Sequence, residues 1–241
     1  MNLRGVIFDM DGVLCDSEPF ICEAACRMFR EKHGVTVLPE DFRPFVGAGE
    51  DRFLGGVAEK VGVTLNLKDD KAYTYALYLE IIRGRLRPLA GADAFIGACR
   101  AAGLRLAVAS SADEVKVRGN LAEIGLPATT FDAVIDGSMV ARKKPHPDIF
   151  LLAAERIGLP AETCLVVEDA PSGLRGARAA GCAALGVRTS FPDDVLRAAG
   201  AMRTVRDLAE ACDLLPEISR SEKSIVFERY SAVHYSSICG S

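Results

Sequence analysis

The sequence is poor in the residues that build soft-metal and disulfide sites. It has three histidines and eight cysteines, and no two cysteines stand in a C-x-x-C pair. A structural zinc site needs four Cys or His ligands at short, repeated spacings, so no zinc motif is present. Cysteines such as Cys164, in Thr163-Cys164-Leu165-Val166-Val167, sit in apolar runs as small core residues do. A chain this long does not depend on a disulfide framework, and the expected environment is reducing. No run of about 18 apolar residues occurs, so no membrane span is expected. No targeting segment is recognisable before the first apolar run, which is compatible with the cytosol or with an organelle after transit-peptide removal. Neither sign of charge dominates: 29 Lys and Arg face 33 Asp and Glu, for a net charge of −4. That balance speaks against a nucleic-acid or acidic-membrane partner.

What is present is an ordinary globular composition, 49% hydrophobic and 26% charged over 241 residues. It suits one large domain, or one domain with a smaller insert. Short Val/Ile/Leu-rich runs recur at Leu3–Phe8, Leu104–Ala109, Phe131–Ile135, Cys164–Val167 and Ala183–Val187. Amphipathic helical patterns lie between them at Ala92–Ala102, Asp113–Ile124, Pro147–Ile157 and Pro171–Ala180, followed closely by Gly103, Gly125, Gly158 and Gly181. Strand and helix in alternation predict an α/β fold, a doubly wound parallel sheet covered on both faces.

The rhythm breaks between the first and second strands. From about Asp16 to Pro88 the pattern is helical, with helices expected at Phe20–Glu31, Phe53–Lys60 and Asp69–Arg83. A stretch of roughly 70 residues is too long for a loop and reads as an inserted helical domain. The expected organisation is a core of residues 1–15 and 89–215, a helical cap of 16–88, and a loosely attached tail of 216–241.

Ligands of an open parallel sheet sit beyond the carboxyl ends of its strands. There the first run meets Asp9 and Asp11, the second Ser110 and Ser111, and the fourth Glu168 and Asp169, while Lys144-Pro145 follows the third. Any one of these is unremarkable, but their placement at one sheet edge suggests a site. Clustered carboxylates without His or Cys call for a hard cation, Mg²⁺. A cation, a serine hydroxyl and a lysine ammonium together receive a phosphoryl group. Asp9 is then the expected nucleophile and Asp11 the general acid and base, with Gly12 allowing the tight turn between strand and site.

Asp9-Met10-Asp11-Gly12-Val13-Leu14, Ser110, Lys144-Pro145 and Glu168-Asp169 resemble, in order, the four motifs of the haloacid dehalogenase superfamily. Asp16-Ser17, Lys144–Phe150 and Glu168–Gly173 extend the likeness, which covers about residues 3 to 215. The insert resembles the small helical cap of the phosphatase and beta-phosphoglucomutase branch. Cap residues Pro44–Glu50 and Phe53–Ala58 and core residues Val108–Asp113 are similar to the dehalogenase-like domain of the plant and algal chloroplast suppressor-of-quenching proteins. The resemblance implies that Mg²⁺ is held by Asp9, the Asp11 backbone carbonyl and Asp169 with help from Glu168. It implies that Ser110 and Lys144 hold the phosphoryl oxygens, that the partner is a small phosphorylated metabolite, and that the chloroplast stroma is an alternative to the cytosol.

Asp11 argues against halide removal, since true dehalogenases lack the second aspartate. Two alternatives stay open, a sugar-phosphate mutase and a binding or regulatory module that retains the core. Mutases of this branch carry a cap histidine near the place of Ile21 and an arginine at the place of Glu50, with Arg52 close by here. Gly47-Ala48-Gly49 lacks the third glycine and the flanking strand of a dinucleotide loop. Arg83, Arg85 and Arg87 read as exposed helix-end cations, and Cys22 and Cys26 as buried cap residues rather than a redox pair.

Overall fold

The computed structural model describes residues 2–45 and 49–219. Six strands run Gly5–Phe8 (β1), Arg105–Ala109 (β2), Ala133–Ile135 (β3), Cys164–Glu168 (β4), Ala183–Val187 (β5) and Arg203–Val205 (β6). They form one sheet in the order β3-β2-β1-β4-β5-β6, and every neighbouring pair is parallel. β1 therefore lies between β2 and β4, with Phe8 in register with Val108 on one side and Val167 on the other. The chain winds outward in both directions from this pair, which opens the crevice where such sheets bind ligands.

Both faces of the sheet are buried, which explains why its strands are continuous apolar runs. Val6, Phe8, Leu106, Val108, Leu165 and Val167 face one layer, and Ile7, Ala107, Ala109, Cys164 and Val166 face the other. The second layer is closed by α7 (Asp148–Arg156) and α8 (Pro171–Ala179) through Phe150, Ala153, Leu174 and Ala177, and by α9 (Asp193–Ala199) through Leu196. The first is closed by α5 (Ala92–Ala101), α6 (Glu114–Glu123) and α10 (Leu208–Ser219), and it continues into the insert. The glycines after α5, α6, α7 and α8 have positive φ, as the sequence pattern predicts.

Three elements near the end of the chain, α9, β6 and α10, were not legible in its pattern. β6 is a three-residue edge strand, too short to show alternation. α10 carries Pro216 inside it, a residue that marks a helix boundary in a sequence, yet Leu208, Ala211, Leu215 and Ile218 keep helical spacing and are buried. This helix crosses the expected boundary at residue 215; residues 220–241 of the expected tail lie outside the described residues.

Between β1 and β2 the insert supplies α1 (Glu18–His33), α2 (Pro39–Phe42), α3 (Glu50–Val61) and α4 (Leu67–Ile82). It has aromatic packing of its own: Phe42 stacks on Phe53 with centroids 4.6 Å apart and meets Phe29 at 6.2 Å. The two connections to the sheet are tied side by side. The Leu89 N–H donates to the Leu14 carbonyl at 2.8 Å, and Cys15 bridges Pro88 in antiparallel fashion. No described helix is long and apolar enough to cross a membrane.

Candidate active site

The backbone turn after β1 decides where the first two aspartates go. Asp9 continues the strand, its N–H donating to the Val167 carbonyl at 2.9 Å. The Met10 carbonyl then accepts from the N–H groups of Val13, Leu14 and Cys15, so the chain folds sharply back beside the strand end. Gly12 makes the fold possible. Its φ is +77°, and a Cβ there would run into the Asp169 carboxylate. Gly173 serves the other strand end: a Cβ on it would run into the Glu168 carboxylate, which lies against the first turn of α8.

These approaches collect three carboxylates. Asp9, Glu168 and Asp169 are all buried, and each offers an oxygen within 4.8 Å of the others. Lys144 reaches two of them, its ammonium donating to Asp9 Oδ1 at 2.5 Å and Glu168 Oε2 at 2.7 Å. The same ammonium lies 5.1 Å from the centre of the Phe150 ring. Asp169 accepts from the Ser190 hydroxyl, and Glu168 also accepts from the Ala170 N–H at 3.1 Å. Burial raises Asp9 from 3.8 to about 7, Glu168 adds to the rise, and Lys144 opposes it. Burial, then Glu168 and Asp9, hold Asp169 well above the usual carboxylate range. Three buried carboxylates share one ammonium, so the cluster lacks positive charge. Its donors are all oxygen, and the deficit and donor type together fit a hard divalent cation.

Asp11 is held differently. Its carboxylate is about a third exposed and accepts from the Ser17 hydroxyl and, at 2.9 Å, from the Lys116 ammonium. Ser17 stands at the N-cap of α1, yet its hydroxyl makes no capping bond and serves Asp11 instead. A residue that breaks a local rule in this way is expected at a functional site.

The parallel register carries Ser110 one residue beyond the level of Asp9 on the neighbouring strand. Ser110 is buried, and its hydroxyl accepts from the Ala112 N–H at 3.2 Å. The Ser111 hydroxyl is buried with no hydrogen-bond partner among the described residues. The three consecutive cations of the following loop separate. Arg142 pairs with Asp148, Lys143 donates to the Ser111 carbonyl at 3.1 Å, and Lys144 enters the cluster.

Asp9, Lys144, Glu168 and Asp169 thus meet in one cluster, Asp11 lies on the turn beside it, and Ser110 and Ser111 end the adjacent strand. Sequence reasoning missed Lys116, Thr189 and Ser190. Thr189 and Ser190 follow β5 and reach back to the Gly12 carbonyl, at 2.5 Å, and to Asp169. Their position after a strand at the same sheet edge was the available signal. Lys116 gave none, being a single lysine inside a helical pattern. The remaining insert residues turn elsewhere. Arg52 pairs with Glu59 at 2.9 Å, Arg85 pairs with Glu23 at 3.0 Å, and Arg87 donates to the Leu86 and Gly84 carbonyls. Cys22 is buried and Cys26 half-buried, both as free thiols. Gly47 and Ala48 lie outside the described residues.

The chain is similar to known proteins over most of its length. It is 41% identical over 204 residues to the chloroplastic protein suppressor of quenching 1 of Arabidopsis thaliana, covering 83% of this chain but 19% of that protein. It is 30% identical over 218 residues to the phosphorylated carbohydrates phosphatase of Thermotoga maritima, covering 90% of this chain and all of that one. The crystal structure of CbbY from Rhodobacter sphaeroides in complex with phosphate superposes with a TM-score of 0.76 at 26% identity, over 86% of this chain and 96% of that one. The family model for haloacid dehalogenase-like hydrolases matches residues 3–181, and with the carboxylate cluster and its lysine at the carboxyl end of β1 and β4, the chain belongs to that family of hydrolases.

Proposed function

We propose that the chain is a phosphoric monoester hydrolase that transfers the phosphoryl group of a small phosphorylated carbohydrate to Asp9 and then to water. The observation that carries this reading is the Lys144 ammonium bridging the buried Asp9 and Glu168 carboxylates, with Asp169 in the same cluster. The substrate class is supported by the name of the Thermotoga relative. In the first half-reaction an Asp9 oxygen attacks phosphorus, the bond to the ester oxygen breaks, and Asp11 gives that oxygen a proton. In the second, water attacks the phosphorus of the aspartyl-phosphate, its proton passes to Asp11, and the Asp9 carboxylate returns with inorganic phosphate released. Lys144 and the Ser110 hydroxyl hold phosphoryl oxygens, and the unpartnered Ser111 hydroxyl is a further donor.

Asp9, Asp169 and the Asp11 backbone carbonyl, assisted by Glu168, would hold Mg²⁺. When bound, it supplies the positive charge that keeps Asp9 ionised and draws in an anionic phosphate. In this reading residues 1–15 and 89–219 are the core and 16–88 the cap that shields the site from water. Hydrolysis is favoured over a mutase reaction by the buried Glu50 carboxyl and the apolar Ile21 in the insert, neither of which is a cationic side chain for a second phosphate. The similarity to a chloroplastic protein supports the chloroplast stroma as the compartment.

Phosphate release from p-nitrophenyl phosphate and a panel of sugar phosphates, with and without Mg²⁺, tests the reading. Wild-type protein is expected to be active only with the metal, and Asp9→Asn inactive. Conversion of beta-glucose 1-phosphate without phosphate release would favour the mutase. A wild type without activity, or an equally active Asp9→Asn, would overturn the proposal.

A further inference from the structure

One face of α6 is polar where it meets the insert. Asp113, at the helix N-cap, and Lys116, Asn120 and Glu123 recur at spacings of three and four and so share that face. Each meets the insert. Asp113 pairs with Lys71 at 2.8 Å, and Lys116 lies 3.9 Å from Glu50. Asn120 accepts from the Tyr78 hydroxyl, and Glu123 accepts from the Gly84 N–H at 2.5 Å. Val117 and Leu121 are buried with the sheet core.

Within this strip Lys116 differs from its neighbours. Its side chain is 7% exposed, and its ammonium donates to Asp11 at 2.9 Å while facing Glu50. Glu50 is itself buried at the start of α3, and its Oε2 has no hydrogen-bond partner among the described residues. A buried carboxylate with an unused oxygen is costly unless a charge close by requires it. The charge here is Lys116. Asp9 and Asp11 thus each have their own lysine, from different parts of the chain: Lys144 beside the cluster and Lys116 from α6.

We propose that Lys116 is a positioning residue for Asp11, and that Glu50, from the insert, fixes Lys116 in that role. The inference rests on the reading of Asp11 as the proton donor to the leaving oxygen. Lys116 holds one Asp11 oxygen and Ser17 the other, which sets the direction of the carboxyl group. Glu50 stops the Lys116 stem from swinging to other acceptors. The strip that carries the pair is built from ion pairs and hydrogen bonds, so Glu50 acts only while the insert is docked on α6.

Proton donation matters most when the leaving group is a poor one, and this separates positioning from a structural role. The experiment compares kcat/KM for glycerol phosphate, with an alkoxide leaving group, and for p-nitrophenyl phosphate, whose phenolate needs little protonation. Lys116→Met is expected to lower kcat/KM about 10- to 100-fold for glycerol phosphate and less than about threefold for p-nitrophenyl phosphate. Lys116→Arg, which keeps charge and donors, is expected to restore most of the alkyl activity. Glu50→Gln is expected to shift the ratio of the two substrates in the same direction by about fivefold, and the double variant to be no worse than Lys116→Met alone. Equal losses for both substrates, or a Glu50→Gln effect that multiplies with Lys116→Met, would overturn the inference. If Lys116→Met does not fold, Glu50→Gln carries the test, and an unchanged ratio in that variant rejects the proposal. A wild type inactive on both substrates would instead reject the proposed function.

Discussion

Replacing Lys144 with methionine keeps most of the unbranched stem and removes a charge that serves two carboxylates at once. The ammonium lies 2.5 Å from Asp9 and 2.7 Å from Glu168, and the three side chains are 7%, 10% and 2% exposed. Removing one member of a buried ion pair costs about 3–5 kcal/mol, because the remaining charge stays buried without compensation. The carboxylates recover part of that cost by taking up protons, so the penalty depends on pH. In the wild type burial raises Asp9 from 3.8 to about 7, Glu168 adds to this, and Lys144 holds the value down. Between the two values the folded chain binds more protons than the unfolded one. The contribution of Asp9 is therefore present below the unfolded value and lost as pH rises through the folded value. Without Lys144 the folded value climbs further. The penalty of Lys144→Met is expected to be smallest near about pH 5, where Asp9 is protonated in both proteins, and to grow above about pH 7 toward the full 3–5 kcal/mol. Urea melts of metal-free wild type and variant across this range measure the difference. A penalty that is the same at both ends, or largest in acid, would refute the reasoning.

Three other substitutions probe the frame around the site. Gly12→Ala forces an L side chain to a φ of +77° and pushes its Cβ into the Asp169 carboxylate. A loss of about 1–2 kcal/mol in thermal melts is expected, together with a higher Mg²⁺ concentration for half-maximal phosphate release; an unchanged metal requirement would contradict the placement of Asp169. Phe8→Ala removes a fully buried ring that meets Phe95 at 5.9 Å and Phe131 at 6.2 Å, and urea denaturation should show a loss of about 3–5 kcal/mol. Asp70 is buried in α4 and accepts from the Asn66 N–H, Lys32 and His33. Burial alone would raise its pKa, but Lys32 and His33 outweigh burial and lower it. A lowered folded value contributes stability above the unfolded value that is lost as pH falls through the folded one. Asp70→Asn is expected to cost about 1–3 kcal/mol at neutral pH, to flatten the acid limb of the stability curve, and to leave kcat unchanged; a steeper acid limb in the variant would contradict this.

Most of the sheet was legible because a strand buried on both faces must be apolar at every position. Val6-Ile7-Phe8 and Leu165-Val166-Val167 announce themselves for that reason. Three helices of the insert were legible through their spacing, although α3 starts three residues before the expected Phe53 because Glu50 and Asp51 open it with polar side chains; α2, only four residues long, was not. α9 and β6 are short, and short elements leave too few residues for a period to show.

The sequence by itself determined the parallel α/β core, the place of the insert, and the residues at the strand ends, Asp9, Asp11, Ser110, Glu168 and Asp169, whereas Lys144 was singled out by its resemblance to a family motif. The strand-end residues follow from local rules, since a strand end is a local feature and a carboxylate there has few structural uses. Only the tertiary structure decided who holds whom. Lys144 is 135 residues from Asp9 and Lys116 is 105 from Asp11, yet both ammonium groups come to rest on a carboxylate of the same turn. Nothing in the spacing distinguishes Lys144 from Lys143, or Lys116 from any solvated helix lysine. The partners of a charge are set by packing between distant elements. That packing buries Glu50 opposite Lys116 and turns Ser17 from its helix cap toward Asp11.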